Sequence, residues 1–170
     1  YCTFGHFEKH DVSLWIDKAL DLGLNDNIGV WGQSLGGAIG LQALAIDNRL
    51  KFGIIESTFA DLRTIAHGYI DRTVPFLSNW YKNLVINLAA NKADFKPDLV
   101  VPASAARSIN AKVLLVHGQN DERIPCQNAD LIFENLPKDK CQKIIVENAN
   151  HVNVWPKGGE DYFKQVFQFI

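Results

Sequence analysis

The sequence predicts an α/β protein, a parallel sheet covered by helices, and three observations carry that prediction. Four short runs read as strands, Ile28-Gly29-Val30-Trp31, Phe52-Gly53-Ile54-Ile55, Val113-Leu114-Leu115-Val116 and Lys143-Ile144-Ile145-Val146, the second of them apolar on both faces. Strands buried on both sides belong to parallel sheets. Segments with helical spacing separate these runs, and neither an internal repeat nor a linker interrupts the alternation. At 170 residues, 47% hydrophobic and 21% charged, the chain is one ordinary globular domain spanning residues 1–170.

Taken in order, residues 7–22 place Val12, Trp15, Ile16, Ala19 and Leu20 at helical spacing opposite Glu8, Lys9, Asp17 and Lys18, and Gly23 closes that helix. The first apolar run leads into Gly32-Gln33-Ser34-Leu35-Gly36-Gly37 and then into the helix-favouring 38–45. That is strand, tight turn, helix, with Ser34 at the turn. In such an elbow the serine backbone is strained and its neighbours must be nearly free of side chains, a clearance expected of Gly32 and Gly36. The helix's first free N–H groups point at whatever the serine attacks, and Leu35 N–H is the expected oxyanion donor. A dinucleotide-binding loop would need glycine where Ser34 stands, and a P-loop would need a following Gly-Lys-Ser/Thr.

After the second strand, residues 58–106 change character. Tyr69, Phe76, Trp80, Tyr81 and Phe95 mix with Arg63, Arg72, Lys82, Lys92 and Lys96, punctuated by Pro75, Pro97 and Pro102. Helices are expected near 60–70 and 77–90, with no strand. Such an insertion on the strand-end side would form a small helical cap, its aromatics either lining a pocket or making their own core. Alternation then resumes, with Pro125 in the first turn of a helix running through Ala129, Leu131, Ile132 and Phe133, and a terminal helix at 162–169.

In a parallel sheet functional residues sit in loops at the carboxyl ends of the strands. His117-Gly118-Gln119-Asn120-Asp121 follows the third strand and Glu147-Asn148-Ala149-Asn150-His151 the fourth. A serine hydroxyl needs a base to take its proton, and the base needs an anion on its other nitrogen. Ser34, Asp121 and His151 supply these types in the chain order of one serine-hydrolase class. Glu56, ending the second strand, is the alternative acid. His117 reads as a packed structural histidine, and local roles suffice for His6, His10 and His67. Cys126 lacks a neighbouring base.

These motifs resemble the α/β-hydrolase superfamily, in the branch of small-cap serine hydrolases that includes prolyl-oligopeptidase-like and dienelactone-hydrolase-like enzymes. The likeness rests on the Gly32 to Gly37 elbow, the His117 to Asp121 run with Ile124-Pro125, the Asn150-His151 pair, and Thr3-Phe4-Gly5 with Glu8 and Asp11. It covers essentially the whole chain. It implies a serine hydrolase acting through an acyl-enzyme on a small-molecule ester or a short peptide, with a non-catalytic binding module as the other class. The chain departs from the family at its start, where strands before the elbow and the loop giving a second oxyanion N–H are expected. With no methionine anywhere, the sequence does not open at a translational start. It is therefore expected to be the C-terminal portion of a hydrolase whose preceding segment completes the sheet beside its most buried strand, and alone to be a weak catalyst at most.

The formal charge of -2 and pI near 6.2 give no basic face for nucleic acid. No apolar run is long enough to span a membrane. No His/Cys/Asp/Glu cluster has metal spacing, so neither metal nor cofactor is expected. Three cysteines, Cys2, Cys126 and Cys141, read as free thiols of a reducing, cytoplasmic compartment.

Overall fold

A computed structural model describes residues 1–170. Four strands, β1 (Ile28–Gln33), β2 (Leu50–Glu56), β3 (Lys112–Gly118) and β4 (Gln142–Val146), form one wholly parallel sheet in the order β1-β2-β3-β4. Gln33 pairs with Glu56, Glu56 with Val116, and Gly118 with Val146, so the four carboxyl ends lie along one rim. Strands that neighbour each other in both chain and sheet, joined by right-handed crossovers, throw their connecting helices onto one face. On that face Ile55, Val113 and Leu115 pack with Leu41 and Leu44 of α2 (Leu35–Ile46), Ile132 of α6 (Gln127–Phe133) and Ile16 of α1 (Glu8–Asp21). On the other face Ile54, Leu114 and Val116 meet Tyr162, Val166 and Phe169 of α7 (Val154–Phe169).

β2 and β3, not β1, are the most buried strands. β1 lies at the sheet edge with a free side, so Trp31 stays 44% exposed. On α1 Ile16 is buried and Val12 and Ala19 are half-buried, while Trp15 and Leu20 face outward. Gly23, φ +76, ends this helix in a Schellman arrangement: its N–H donates to Leu20 O and Leu24 N–H to Ala19 O. Two boundaries differ from expectation. α6 starts at Gln127, with Pro125 in the turn before it. The terminal helix begins at Val154 and continues across a break at Gly159.

Residues 58–106 contain α3 (Leu62–Thr73), α4 (Asn79–Lys92), a 3-10 turn (Pro97–Leu99) and the one-turn α5 (Pro102–Ala105), and no strand. Asp61 caps α3 by accepting from Thr64 N–H at 2.6 Å. The two long helices are clasped by polar contacts rather than by an aromatic core. Arg63 donates to Asp98, Asn83 and Asn87, His67 Nε2 lies 2.9 Å from Asn83 Oδ1, and Lys82 pairs with Asp71. Phe76, Trp80 and Tyr81 are consequently exposed, Trp80 and Tyr81 packed edge-on against each other. Phe95 alone of the five aromatics is buried, in a cluster with Phe59, Leu62, Ile65 and Ala90.

The segment ahead of α1 is held by one carboxylate. Glu8 accepts from Thr3 N–H at 2.7 Å, Thr3 Oγ1 at 2.6 Å and Gly5 N–H at 2.8 Å. Burial acts to raise the Glu8 pKa, but the donations from Thr3 and Gly5 outweigh it and lower the value to about 2. A carboxyl depressed on folding stabilises the fold above its ordinary value of 4.5 and loses that contribution as pH falls toward about 2. Glu8→Gln is therefore expected to lower stability at neutral pH and to converge with the wild type across that window, as read by denaturant midpoints at stepped pH.

Candidate active site

The rim assembles the three residues singled out from the sequence. Ser34 Oγ lies 2.9 Å from His151 Nε2, and His151 Nδ1 lies 2.8 Å from Asp121 Oδ2. Asp121 accepts only, so Nδ1 carries a proton and Nε2 is free to accept from the serine hydroxyl. Asp121 is fully buried at its side chain, and its Oδ1 accepts from the N–H groups of Arg123 and Ile124, each at 2.9 Å. Burial pushes its pKa up. Hydrogen bonds from His117, His151 and Ile124 N–H push harder the other way and hold it well below the usual carboxylate range.

Ser34 has φ 55 and ψ -117, a strained conformation for a residue with a side chain. Its N–H donates to Glu56 O at 2.8 Å and its carbonyl accepts from Ala38 N–H. A Cβ on Gly32 would stand 2.3 Å from Gly36 O, so that position needs glycine where strand and helix approach. Gly36 does not share the requirement: a Cβ there meets open space. Leu35 opens α2, where a first-turn N–H has no partner within the helix, and it sits beside Ser34 on the cavity wall.

Glu56 stands elsewhere than expected of an alternative acid. Its carboxylate is completely buried on the α7 face, accepting from Trp31 Nε1 and Trp155 Nε1, each at 2.7 Å, and from Tyr162 OH. Burial and the Glu56 carboxylate raise the Tyr162 pKa well above a free phenol's. Trp155 lies in the first turn of α7, directly after the His151 loop. Glu56 thus holds the serine turn with its carbonyl and the histidine loop with its side chain. His117 is a packed histidine: Nε2 donates to Ile124 O at 2.8 Å and lies 3.4 Å from Asp121 Oδ2. His6 packs on Phe7 and Phe95, and no His/Cys/Asp/Glu group could hold a metal. All three cysteines are unpaired.

Gly118, within the His117 to Asp121 run, has a role visible only in three dimensions. A Cβ there would lie 2.7 Å from the carbonyls of Ala149 and Asn150, so the histidine loop rests directly on the aspartate loop. Asn120 N–H to Ala149 O, at 2.8 Å, ties them. On one side Ser34 opens into an apolar cavity of about 370 Å³ lined by Phe4, Leu35, Phe59, Leu62, Ile65, Tyr69 and Ile124 among others. On the other, His151 borders a polar cavity of about 400 Å³ with Asn120, Glu122, Arg123, Asn148 and Asn150. A larger cavity, about 480 Å³, lies among Leu50, Lys51, Lys112 and Lys140 at the amino ends of β2 and β3, the opposite end of the sheet from Ser34.

Residues 5–170 match the model of the prolyl oligopeptidase family, and the chain belongs to that family. YfhR of Escherichia coli, whose function is uncharacterized, is 26% identical over 146 residues, 83% of this chain and 44% of YfhR. Among solved structures, an esterase of Pyrococcus furiosus superposes with TM-score 0.74 at 19% identity, covering 98% of this chain and 62% of its own. An acylaminoacyl peptidase of Pyrococcus horikoshii superposes at 0.72 and 20%, covering 98% and 28%. These likenesses place the sheet and its helices in the α/β-hydrolase fold. The chain spans less than half the length of YfhR.

Two sets of variants separate the supports of this rim. Gly32→Ala should cost about 1–3 kcal/mol through overpacking, whereas Gly36→Ala should stay within about 0.5 kcal/mol of wild type, both by urea denaturation. Glu56→Gln puts an amide N–H₂ among three donors, two of them indole N–H groups that cannot accept, and should cost about 1–3 kcal/mol, with a change in tryptophan fluorescence reporting the loosened indoles.

Proposed function

We propose that this protein is a serine hydrolase that cleaves a carboxylic ester or related acyl bond through an acyl-enzyme on Ser34. The continuous chain of contacts from Ser34 through His151 to Asp121, opening on an apolar cavity, carries this reading. Ser34 Oγ attacks the acyl carbon as its proton passes to His151 Nε2, and Asp121 stabilises the imidazolium. Leu35 N–H faces the oxyanion. Collapse of the tetrahedral adduct expels the alkoxide, which takes the proton from His151. Water then repeats both steps on the acyl-enzyme and releases the acid. The chemistry draws on these side chains and asks for no cofactor.

An ester substrate is favoured by the asymmetry of the rim, apolar beside Ser34 for an acyl group and polar beside His151 for a hydroxyl-bearing leaving group. Membership of the prolyl oligopeptidase family favours the second reading, a serine peptidase acting on short peptides. We read residues 58–106 as a helical cap, since α3 contributes Leu62, Ile65 and Tyr69 to the cavity wall. The free edge of β1, beside exposed Trp31, is where a preceding segment would complete the sheet and supply a second oxyanion donor. No helix is long and apolar enough to cross a membrane. Three unpaired thiols fit a cytoplasmic setting.

A serine-directed fluorophosphonate should label the full-length protein and fail to label Ser34→Ala. Asp121→Asn should slow ester turnover on the order of 10⁴-fold with the fold intact. Labelling that persists in Ser34→Ala would overturn the assignment, and peptide turnover exceeding that of a matched ester would move it to the peptidase reading.

A further inference from the structure

We infer that Phe4 divides the apolar cavity beside Ser34 from a second one behind it, and so limits the length of acyl chain the site accepts. This rests on the reading of Ser34 as an acyl-forming nucleophile. The second cavity, about 270 Å³, lies between α3 and α4 and is almost wholly apolar, with Ile86, Ala89, Ala90 and Phe95 on its walls. Phe4, Leu62 and Ala66 line both cavities and therefore form the partition between them. Leu62 is buried in the insertion's own cluster and Ala66 has only a methyl group. Phe4 is the one large side chain of the partition that the core does not hold, 37% exposed with its ring 6.4 Å from that of Phe95.

What holds Phe4 is its backbone. Its φ is +56 and that of Gly5 is +99, a turn that sets the ring between the two cavities at a cost in strain. The Glu8 carboxylate fixes Thr3 and Gly5 on either side of it, and Gln42 Nε2 donates to Phe4 O at 3.0 Å from α2. Four hydrogen bonds thus orient three residues whose only side chain reaching the site is this ring. The helix that carries Gln42 is also the helix that Ser34 opens, so the divider and the nucleophile share one rigid support. Each cavity is near or below the small end of the range for ligand pockets, about 300–1,000 Å³. Joined, they would form a continuous apolar slot whose far occupant is the distal end of an unbranched acyl chain.

The test uses the full-length protein and a series of p-nitrophenyl esters from acetyl to palmitoyl. Wild type should lose kcat/KM beyond the chain length that fills the first cavity. Phe4→Ala should raise kcat/KM for the longer esters by about tenfold or more relative to acetyl. Phe4→Ala combined with Ala89→Phe, which fills the second cavity from α4, should return the wild-type cut-off. Phe4→Leu should extend it by less than Phe4→Ala and serves if the alanine variant does not fold, as judged by circular dichroism. A chain-length profile that does not move in either Phe4 variant, or that Ala89→Phe fails to restore, overturns the divider. Fluorophosphonate labelling of the wild type keeps the two readings apart: no labelling removes the nucleophile, and labelling with an unmoved profile removes only the divider.

Discussion

The constraint on which the rim depends is the backbone of Ser34, held at φ 55 by its surroundings rather than by its own preference. A serine leaves that conformation unless strand, turn and helix over-determine it. Gly32 lets α2 press against β1, and Glu56 O takes the Ser34 N–H across the strand pair. Because β2 is fixed on both sides by β1 and β3, the acceptor cannot drift. The strain of one residue is thereby borne by the whole centre of the sheet.

Glu56 extends that support to the histidine. Its buried carboxylate gathers two indole N–H groups and a phenol, from β1 and from both halves of α7. A buried carboxylate needs its hydrogen bonds satisfied, and here three donors from distant parts of the chain do so. The result pins the start of α7, and with it the loop carrying His151. Gln33 Nε2 adds a contact to His151 O at 3.4 Å from the serine side. On the far side Gly118 lets the same loop settle on the turn that carries Asp121. The loop carrying His151 is thus tied both to the serine turn and to the aspartate loop.

The helical segment of residues 58–106 follows a different logic. Its two long helices meet through the directional contacts of Arg63, His67, Asn83 and Asn87 as well as through the small cluster of Leu62, Ile65, Ala90 and Phe95. That leaves the apolar side of α3 for the cavity beside Ser34 and leaves Leu84, Val85 and Leu88 of α4 exposed. Aromatic content in this segment was therefore a poor guide to its packing. Phe76, Trp80 and Tyr81 contribute to neither pocket nor core, while Phe4, far earlier in the chain, lines both apolar cavities.

The order of strands and helices, the four strand-forming runs, the elbow and the loops bearing Asp121 and His151 were all legible in the sequence, because each is written in local patterning: apolar runs of strand length, helical spacing, and glycines at a turn. What depends on distance through space was not. That Glu56 binds indoles rather than a histidine, that Gly118 and not Gly36 provides a close approach, and that β1 is less buried than its neighbours are decided by which elements meet across the sheet. Two side chains as far apart in the chain as Glu56 and Trp155 carry no mark of each other in the sequence. Only the closure of the fold, in which a buried charge must find its donors, brings them together.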